Sequence, residues 1–418
     1  MGLGADPAAR LSVRILHLTP ELPFEPGGGG GRTREFFLCK RLAELGHPVL
    51  NLSPALPDEI GLADSLRDVG VECWVARRPP TPVEEVARAV AAEPAVLAAA
   101  VTRPVRALEM RVFWTRLRSL ATRAVQDWRP DVVVVGHDMA GAWACDLPRG
   151  LPAVLTLHNL TWHWYLSRAR RASGAEALAL RAEAWRYRRH VVATLPRFHT
   201  AVAVSTSEAD EVRAMGLTDV ELIPTGVDTQ LLTPAPPPPA SPPRLLFTGT
   251  MSYPPNHQGI RWFAEHVWPL VRRDLPEARL DVVGREPPQA VMRLDGHDGI
   301  AVHGFVPSMA PYFARAHAVV VPILTGAGIR VKIVEAMSAG RPIVSTSIGW
   351  EGLAHVEPGR HLLVADTPSE FAAAVLRLLG DPEASGRMAR DARALAEDEY
   401  DWRALGDRLE AVLAAASA

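Results

Sequence analysis

Cysteine is scarce: three residues in 418, at positions 39, 73 and 145, with no CxxC pair and no Cys/His ligand spacing. An odd, scattered set makes a disulfide framework and a structural zinc site poor readings, and fits a reducing cytoplasm. An excess of one charge is missing too. The 45 Lys and Arg stand against 47 Asp and Glu, a formal net charge of -2, so nothing in the charge balance points to nucleic acid. No apolar run reaches the roughly 18 residues a spanning helix needs. The start, MGLGADPAARLSVRILHLTP, has no apolar h-region behind a basic one. The chain is therefore expected to be cytoplasmic, neither secreted nor membrane-spanning.

What is present is a core. With 48% hydrophobic and 22% charged residues, the length suits two domains. Short β-branched runs alternate with helical stretches, the pattern of parallel sheets built from βαβ units. Val13–Leu18, Val132–Val135, Val154–Leu157 and Ala201–Val204 read as strands buried on both faces. A proline-rich stretch, Thr233–Pro243, reads as a stiff spacer. The pattern then restarts with Leu245–Thr248, Leu280–Val283, Ile300–His303, Ala318–Val321 and Pro342–Ser345, separated by helices such as His257–Arg272. This predicts an α/β protein of two Rossmann-like, doubly wound domains, 1–232 and 244–395, joined by 233–243. Ligands in such sheets bind at the carboxyl ends of the strands, so the site is expected in the cleft where the domains face each other.

Two N-terminal segments, Pro104–Trp128 and Tyr165–His190, are helical and dense in arginine. Arg103, Arg106, Arg111, Arg116, Arg118 and Arg123 alternate with Val105, Leu108, Met110, Val112, Phe113, Trp114 and Leu117. Either a solvated helical face or peripheral contact with an anionic membrane fits, the latter at the inner face of the membrane.

Three motifs carry chemistry. PGGGGGRTR (Pro26–Arg34) follows the first strand and opens a helix, so Gly28, Gly29 and Gly30 let backbone approach a ligand and the helix start offers free N–H groups to an anion. The GxGxxG fingerprint does not fit, because Arg32 stands at the third glycine position. A dinucleotide oxidoreductase is thereby disfavoured. His137 (VVVVGHD) and His158 (LTLHN) each follow a buried strand and can meet a hydroxyl or polarise a reacting group. The third motif is PILTGAGIRVKIVEAMSAGRPIVSTSIGWEGL (Pro322–Leu353). Gly326 and Gly328 form a turn, a helix begins near Arg330, and Lys332 and Glu335 share one of its faces. Arg330, two residues from Lys332, is expected to reach from the loop. Two cations suit a diphosphate and one carboxylate suits paired ribose hydroxyls.

On these residues the chain resembles the GT-B glycosyltransferases of family 4. The C-terminal half resembles them through IPTGVDTQLLTP, FTGTMSYPPN, LDVVGREP, VHGFVPSM and GAGIRVKIVEAMSAGRPIVSTSIGWEGL. The N-terminal half does so through PGGGGGRTREF, GHDMAG and LTLHN, and YDWRAL resembles the family's last helix, here 396–418, which crosses back onto the N-domain. The resemblance implies a GT-B fold and sugar transfer from a nucleotide-sugar donor, with retention of configuration. Glu335 matches the second glutamate of the family's E-x7-E motif. The first is replaced by Ala327, as in a subgroup carrying GGGTRLKILEA, where backbone N–H groups contact the donor sugar. Gly249, Gly304 and Phe305 fall on the donor side by the same matching, and His158 matches the family's active-site histidine, with His137 at a neighbouring polar position. The family's Arg and Lys after the first C-domain strand are missing, leaving Arg330 and Lys332 to carry the diphosphate charge.

No DxD tripeptide occurs, so neither a metal nor another cofactor is expected beside the nucleotide-sugar co-substrate. The acceptor, whether glycan, lipid-linked sugar or small molecule, is not specified by any motif. A GT-B-type nucleotide-sugar epimerase or hydrolase, or a catalytically silent sugar-nucleotide binding protein, would share the fold.

Overall fold

A computed structural model describes residues 12–25, 30–78, 105–170, 172–236, 238, 241–326 and 330–417. Within these residues lie two parallel sheets. The first has seven strands: β1 (Ile15–Leu18), β2 (Val49–Ala55), β3 (Glu72–Arg77), β4 (Val132–Gly136), β5 (Ala153–Thr156), β6 (Thr200–Ala203) and β7 (Val220–Leu222). Their order is β3-β2-β1-β4-β5-β6-β7. The second has six: β8 (Arg244–Thr248), β9 (Arg279–Val283), β10 (Ile300–Gly304), β11 (Ala318–Val321), β12 (Ile343–Ser345) and β13 (Leu363–Val364), in the order β10-β9-β8-β11-β12-β13. All nine expected strands are present within a residue or two of their expected ends. In both sheets the winding reverses beside the first strand, between β1 and β4 and between β8 and β11. Doubly wound sheets open a binding crevice at such reversals, past the carboxyl ends of the strands.

This is the expected α/β architecture of two doubly wound sheets. Residues 1–223 and 405–418 form one compact unit and 224–404 the other, so the division falls ahead of the proline-rich stretch 233–243. The last helix, Trp402–Ser417, belongs to the first unit from Leu405 onward. There Asp407 pairs with Arg41 at 2.8 Å and Glu410 meets His47 at 3.0 Å. The expected crossing segment 396–418 thus begins later, because the helix Pro382–Glu399 packs within the second unit.

The first arginine-rich stretch is helix Val105–Arg123, continued by a wider π turn to Trp128. Arg103 lies outside the described residues, as do the side chains of Val105, Arg106 and Leu108. Met110, Val112, Phe113, Trp114 and Leu117 are buried, with Trp114 stacked on Trp143 at 5.6 Å. These apolar side chains fill the core. The second stretch is two helices rather than one, Thr161–Ala169 and Gly174–Thr194, because Gly174 turns the chain at φ +56°. Here Trp164, Leu178 and Trp185 are exposed. Among the described residues no helix is long and apolar enough to cross a membrane.

Candidate active site

In the second unit, three neighbouring strands end in glycine at positive φ: Gly249 (+147°), Gly284 (+153°) and Gly304 (+62°). Two of them let backbones cross closely. A Cβ on Gly284 would lie 1.7 Å from the Gly249 carbonyl oxygen, which no side chain could survive. A Cβ on Gly249 would meet Asn256 Nδ2 at 2.7 Å and Lys332 Nζ at 2.9 Å. The FTG and VVG ends of β8 and β9 therefore make a floor of bare backbone with one lysine above it.

Lys332 sits in helix Val331–Ser338, just past β11, and is buried. Its Nζ donates to the Asn256 side-chain oxygen at 2.8 Å and stands 4.3 Å from the Phe247 ring centre. That hydrogen bond goes to a neutral amide, and among the described residues no carboxylate forms an ion pair with the ammonium. Burial, with the nearby Arg330 charge, pulls the lysine down to about 7, against a smaller opposing effect of Glu335. Arg330 is the residue before the helix and does reach from the loop. It is buried, and burial lowers it from the usual guanidinium range. Its Nη2 lies 2.9 Å from where a Cβ of Gly326 (φ +119°) would stand. Glu335 is half-buried one turn after Lys332. Phe305, after Gly304, is 67% exposed, with Arg285 6.0 Å from its ring centre. Ala327 and Gly328 lie outside the described residues, as do Gly28 and Gly29.

In the first unit, helix Gly30–Glu44 begins past β1. A Cβ on Gly30 would meet open space, whereas on Gly31 it would strike His158 Nδ1 at 2.6 Å. His158 therefore seats its ring over Gly31. The two expected histidines do come together: His137 and His158 meet edge-on with ring centres 5.0 Å apart. His137 is held at φ +81°, a strained backbone for a side-chain-bearing residue, by its N–H bond to the Thr156 carbonyl at 2.7 Å. Buried Asp138 takes the Thr161 amide at 2.9 Å and hydroxyl at 2.7 Å, tying the loop after β4 to the helix start after His158. Leu160 N–H donates to Glu208 at 3.1 Å. Burial, with the Asp138 charge, pushes that carboxyl up to about 7 against the Leu160 bond.

Sequence reasoning missed the residues behind His158. Its Nε2 hydrogen-bonds Glu35, a carboxylate inside the helix–sheet interface, whose other oxygen lies 2.6 Å from His17 Nε2 in β1. A usable signal was present. Glu35 lies three and four residues before Leu38 and Cys39, on the face that packs on the sheet, and His17 interrupts the buried run ILHL. Charged groups are rarely buried unless paired, and such pairs mark candidate functional sites.

Known sequences and structures were compared with this chain. The profile described as Glycosyltransferase Family 4 matches residues 28–231, and that described as Glycosyl transferases group 1 matches 242–381. Glycogen synthase of Mycobacterium tuberculosis (strain H37Rv) is 28% identical over 312 residues, 72% of each chain. A 44.6 kDa protein of the Klebsiella pneumoniae cps region is 26% identical over 168 residues, 38% of this chain and 42% of that one. Among solved structures, sucrose-phosphate synthase from Thermosynechococcus elongatus superposes with TM-score 0.69 at 17% identity, covering 96% of this chain and 98% of that one. HepE of Anabaena in complex with UDP-glucose gives TM-score 0.65 at 16% identity, covering 96% and 100%.

Proposed function

This chain belongs to the GT-B glycosyltransferases of family 4, and from that premise we propose that it moves a sugar from a nucleoside-diphosphate donor to an acceptor hydroxyl, with retention of configuration and without a metal ion. One observation carries the donor reading: a buried lysine, lowered to about 7, stands over a glycine floor at the point where the second sheet reverses. A cation kept out of water without a carboxylate in contact suits an anionic ligand. The neighbouring HepE structures with UDP and with UDP-glucose support a nucleotide sugar as that ligand. In this reading Arg330 and Lys332 hold the diphosphate and Glu335 the ribose. Gly249, Gly304 and Gly326 line the donor, Phe305 offers a face to the base, and Gly30 brings its backbone N–H to the sugar.

The chemistry follows. As the bond from the anomeric carbon to the diphosphate lengthens, negative charge grows on the leaving group. Arg330 and Lys332 are already placed for it, which is how preorganised charge lowers a barrier. The acceptor attacks from the leaving-group side, and a diphosphate oxygen takes its proton. His158 orients the transferred sugar, with His137 beside it. Given a matched acceptor, purified protein is expected to form a glycoside with the donor's anomeric configuration, read by proton NMR, at a rate unchanged by EDTA. Loss of turnover in EDTA with recovery only on Mg²⁺ or Mn²⁺ would overturn the leaving-group account. Donor consumption without any acceptor would favour the epimerase or hydrolase reading instead.

Membrane contact, in this proposal, moves to the helices Thr161–Ala169 and Gly174–Thr194. Leu178, Trp185 and Val192 recur every seven residues and are all exposed, and guanidinium groups lie over both exposed tryptophans, Arg168 on Trp164 at 4.9 Å and Arg189 on Trp185 at 4.7 Å. Tryptophan with arginine suits the headgroup region of an anionic bilayer on the cytoplasmic side. Sedimentation with phosphatidylglycerol vesicles, but not with phosphatidylcholine vesicles, is expected, and the double change Trp164→Ala, Trp185→Ala should abolish it. Equal sedimentation of the variant would remove this surface.

A further inference from the structure

Glu35 is 2% exposed and its carboxylate is shared. Oε2 lies 2.6 Å from His17 Nε2, while Oε1 meets His158 Nε2 and accepts from the Thr156 hydroxyl at 3.2 Å. His17 is 3% exposed, in β1, an interior strand of the first sheet. Its other nitrogen, Nδ1, lies 3.1 Å from Cys39 Sγ and 3.0 Å from Asn51 Nδ2. Helix geometry explains the cluster: Glu35 and Cys39 are four residues apart, one turn, so both face β1 and flank His17. Asn51 pairs with His17 in register across β1 and β2.

The Nε2 atoms facing Glu35 have one consistent arrangement. Burial alone would push the Glu35 carboxyl up, but the His17 charge and the bonds to both histidines hold it well below the usual carboxylate range. Burial lowers His17, yet the adjoining Cys39 and Glu35 outweigh it and raise the imidazole to about 10. Burial lowers His158 despite Glu35, helped by the charges of His137 and Arg34. An ionised carboxylate can only accept, so both histidine Nε2 atoms must donate to it. Such a buried pair gives the fold little net stability, because desolvation offsets the attraction, and apolar residues would fill the same space. Its value lies in what it fixes.

We propose that His17 is a positioning residue that, through Glu35, fixes the ring orientation and the proton of His158, so that His158 carries hydrogen on Nε2 and keeps Nδ1 as a lone pair. The proposal rests on the reading that His158 acts on the sugar, and it adds how that histidine is prepared: a neutral imidazole of one tautomer, seated over Gly31. Glu35 divides its two oxygens between the two histidines, so a change at His17 reaches His158 without touching any ligand. Thr156 steadies the oxygen that faces His158.

Ring-¹⁵N-labelled protein tests this by long-range ¹H–¹⁵N correlation, with the His158 signals identified by their loss in His158→Gln. Wild type is expected to show the Nε2–H tautomer at His158. Glu35→Gln, whose amide can donate to Nε2, should turn it to Nδ1–H. His17→Gln should give a mixture of tautomers and a kcat lower by about tenfold or more, with nucleoside diphosphate Kd within about twofold. A merely structural His17 would lower Tm and leave the tautomer alone. An Nδ1–H signal in wild type, which needs no variant to fold, overturns the proposal, as does a tautomer unmoved in both variants. If the tautomer moves as expected while kcat stays constant even in His158→Gln, the relay is upheld and the catalytic reading of His158 is what falls.

Discussion

Lys332→Met is expected to bind nucleoside diphosphate about tenfold to a hundredfold more weakly than wild type near pH 6.5, the effect of losing one charge-assisted hydrogen bond, and to melt at a higher temperature. Both follow from burial of the ammonium. In the unfolded chain a lysine has its ordinary value of 10.5, and in the fold it falls to about 7. A lysine lowered by folding binds its proton less well in the native state. It therefore costs stability at any pH below the unfolded value, fully below about 7, and the cost fades as pH rises towards 10.5. Methionine removes that cost. A bound diphosphate restores the proton, since its negative charge favours the ammonium. Above pH 7 binding must then take up a proton, and affinity should fall by up to about tenfold per pH unit. Calorimetry at pH 8 in buffers of different ionisation enthalpy should detect that proton in wild type and not in Lys332→Met. Unchanged affinity in both Lys332→Met and Arg330→Ala, with folding intact, would remove the diphosphate from this place.

Much of this was legible in the sequence, and what was not had a physical reason. The nine strands that were expected are mostly apolar, VVVV and AVVV without a break, as a doubly buried parallel strand requires. Four others were not expected. β7 and β13 are short edge strands, and β3 alternates only loosely. The fourth, β2, reads VLNLSPA and is buried throughout, yet Asn51, Ser53 and Pro54 break its pattern. Asn51 is polar because it hydrogen-bonds His17, and Ser53 because it donates to Asn51. The strand was hidden by the polar cluster it serves, whose members break the apolar pattern. Lys332 and Arg330 could be found because their spacing lies within one turn of helix. Asn256 was not, since its partner is 76 residues away, and Glu35, though marked by its place on the buried helix face, could not be tied to His158, 123 residues away. The histidine pair lay between these cases: each strand end was visible, and their contact was not.

His158→Ala should lose about 100-fold or more in kcat while nucleoside diphosphate affinity stays nearly unchanged, the size of effect one positioned catalytic group produces. The separation is the point. A group that meets the sugar as it flattens towards the oxocarbenium-like state contributes in the transition state and little to the bound ground state, so its loss appears in kcat. Arg330 and Lys332, proposed to hold the diphosphate, are in the other unit and keep their contacts. The change also empties the space over Gly31 and leaves Glu35 with Thr156 and His17 as partners. Some stability loss should accompany it, so kcat must be compared at temperatures where the variant is folded. His137→Ala provides the contrast: its ring touches His158 edge-on but lacks the Glu35 bond, so a smaller loss is expected. Near-normal turnover in His158→Ala with an inactive His137→Ala would exchange the two roles. If neither change mattered, both histidines would be parts of the strand-end scaffold, and catalysis would rest on the charge that Arg330 and Lys332 bring to the leaving group.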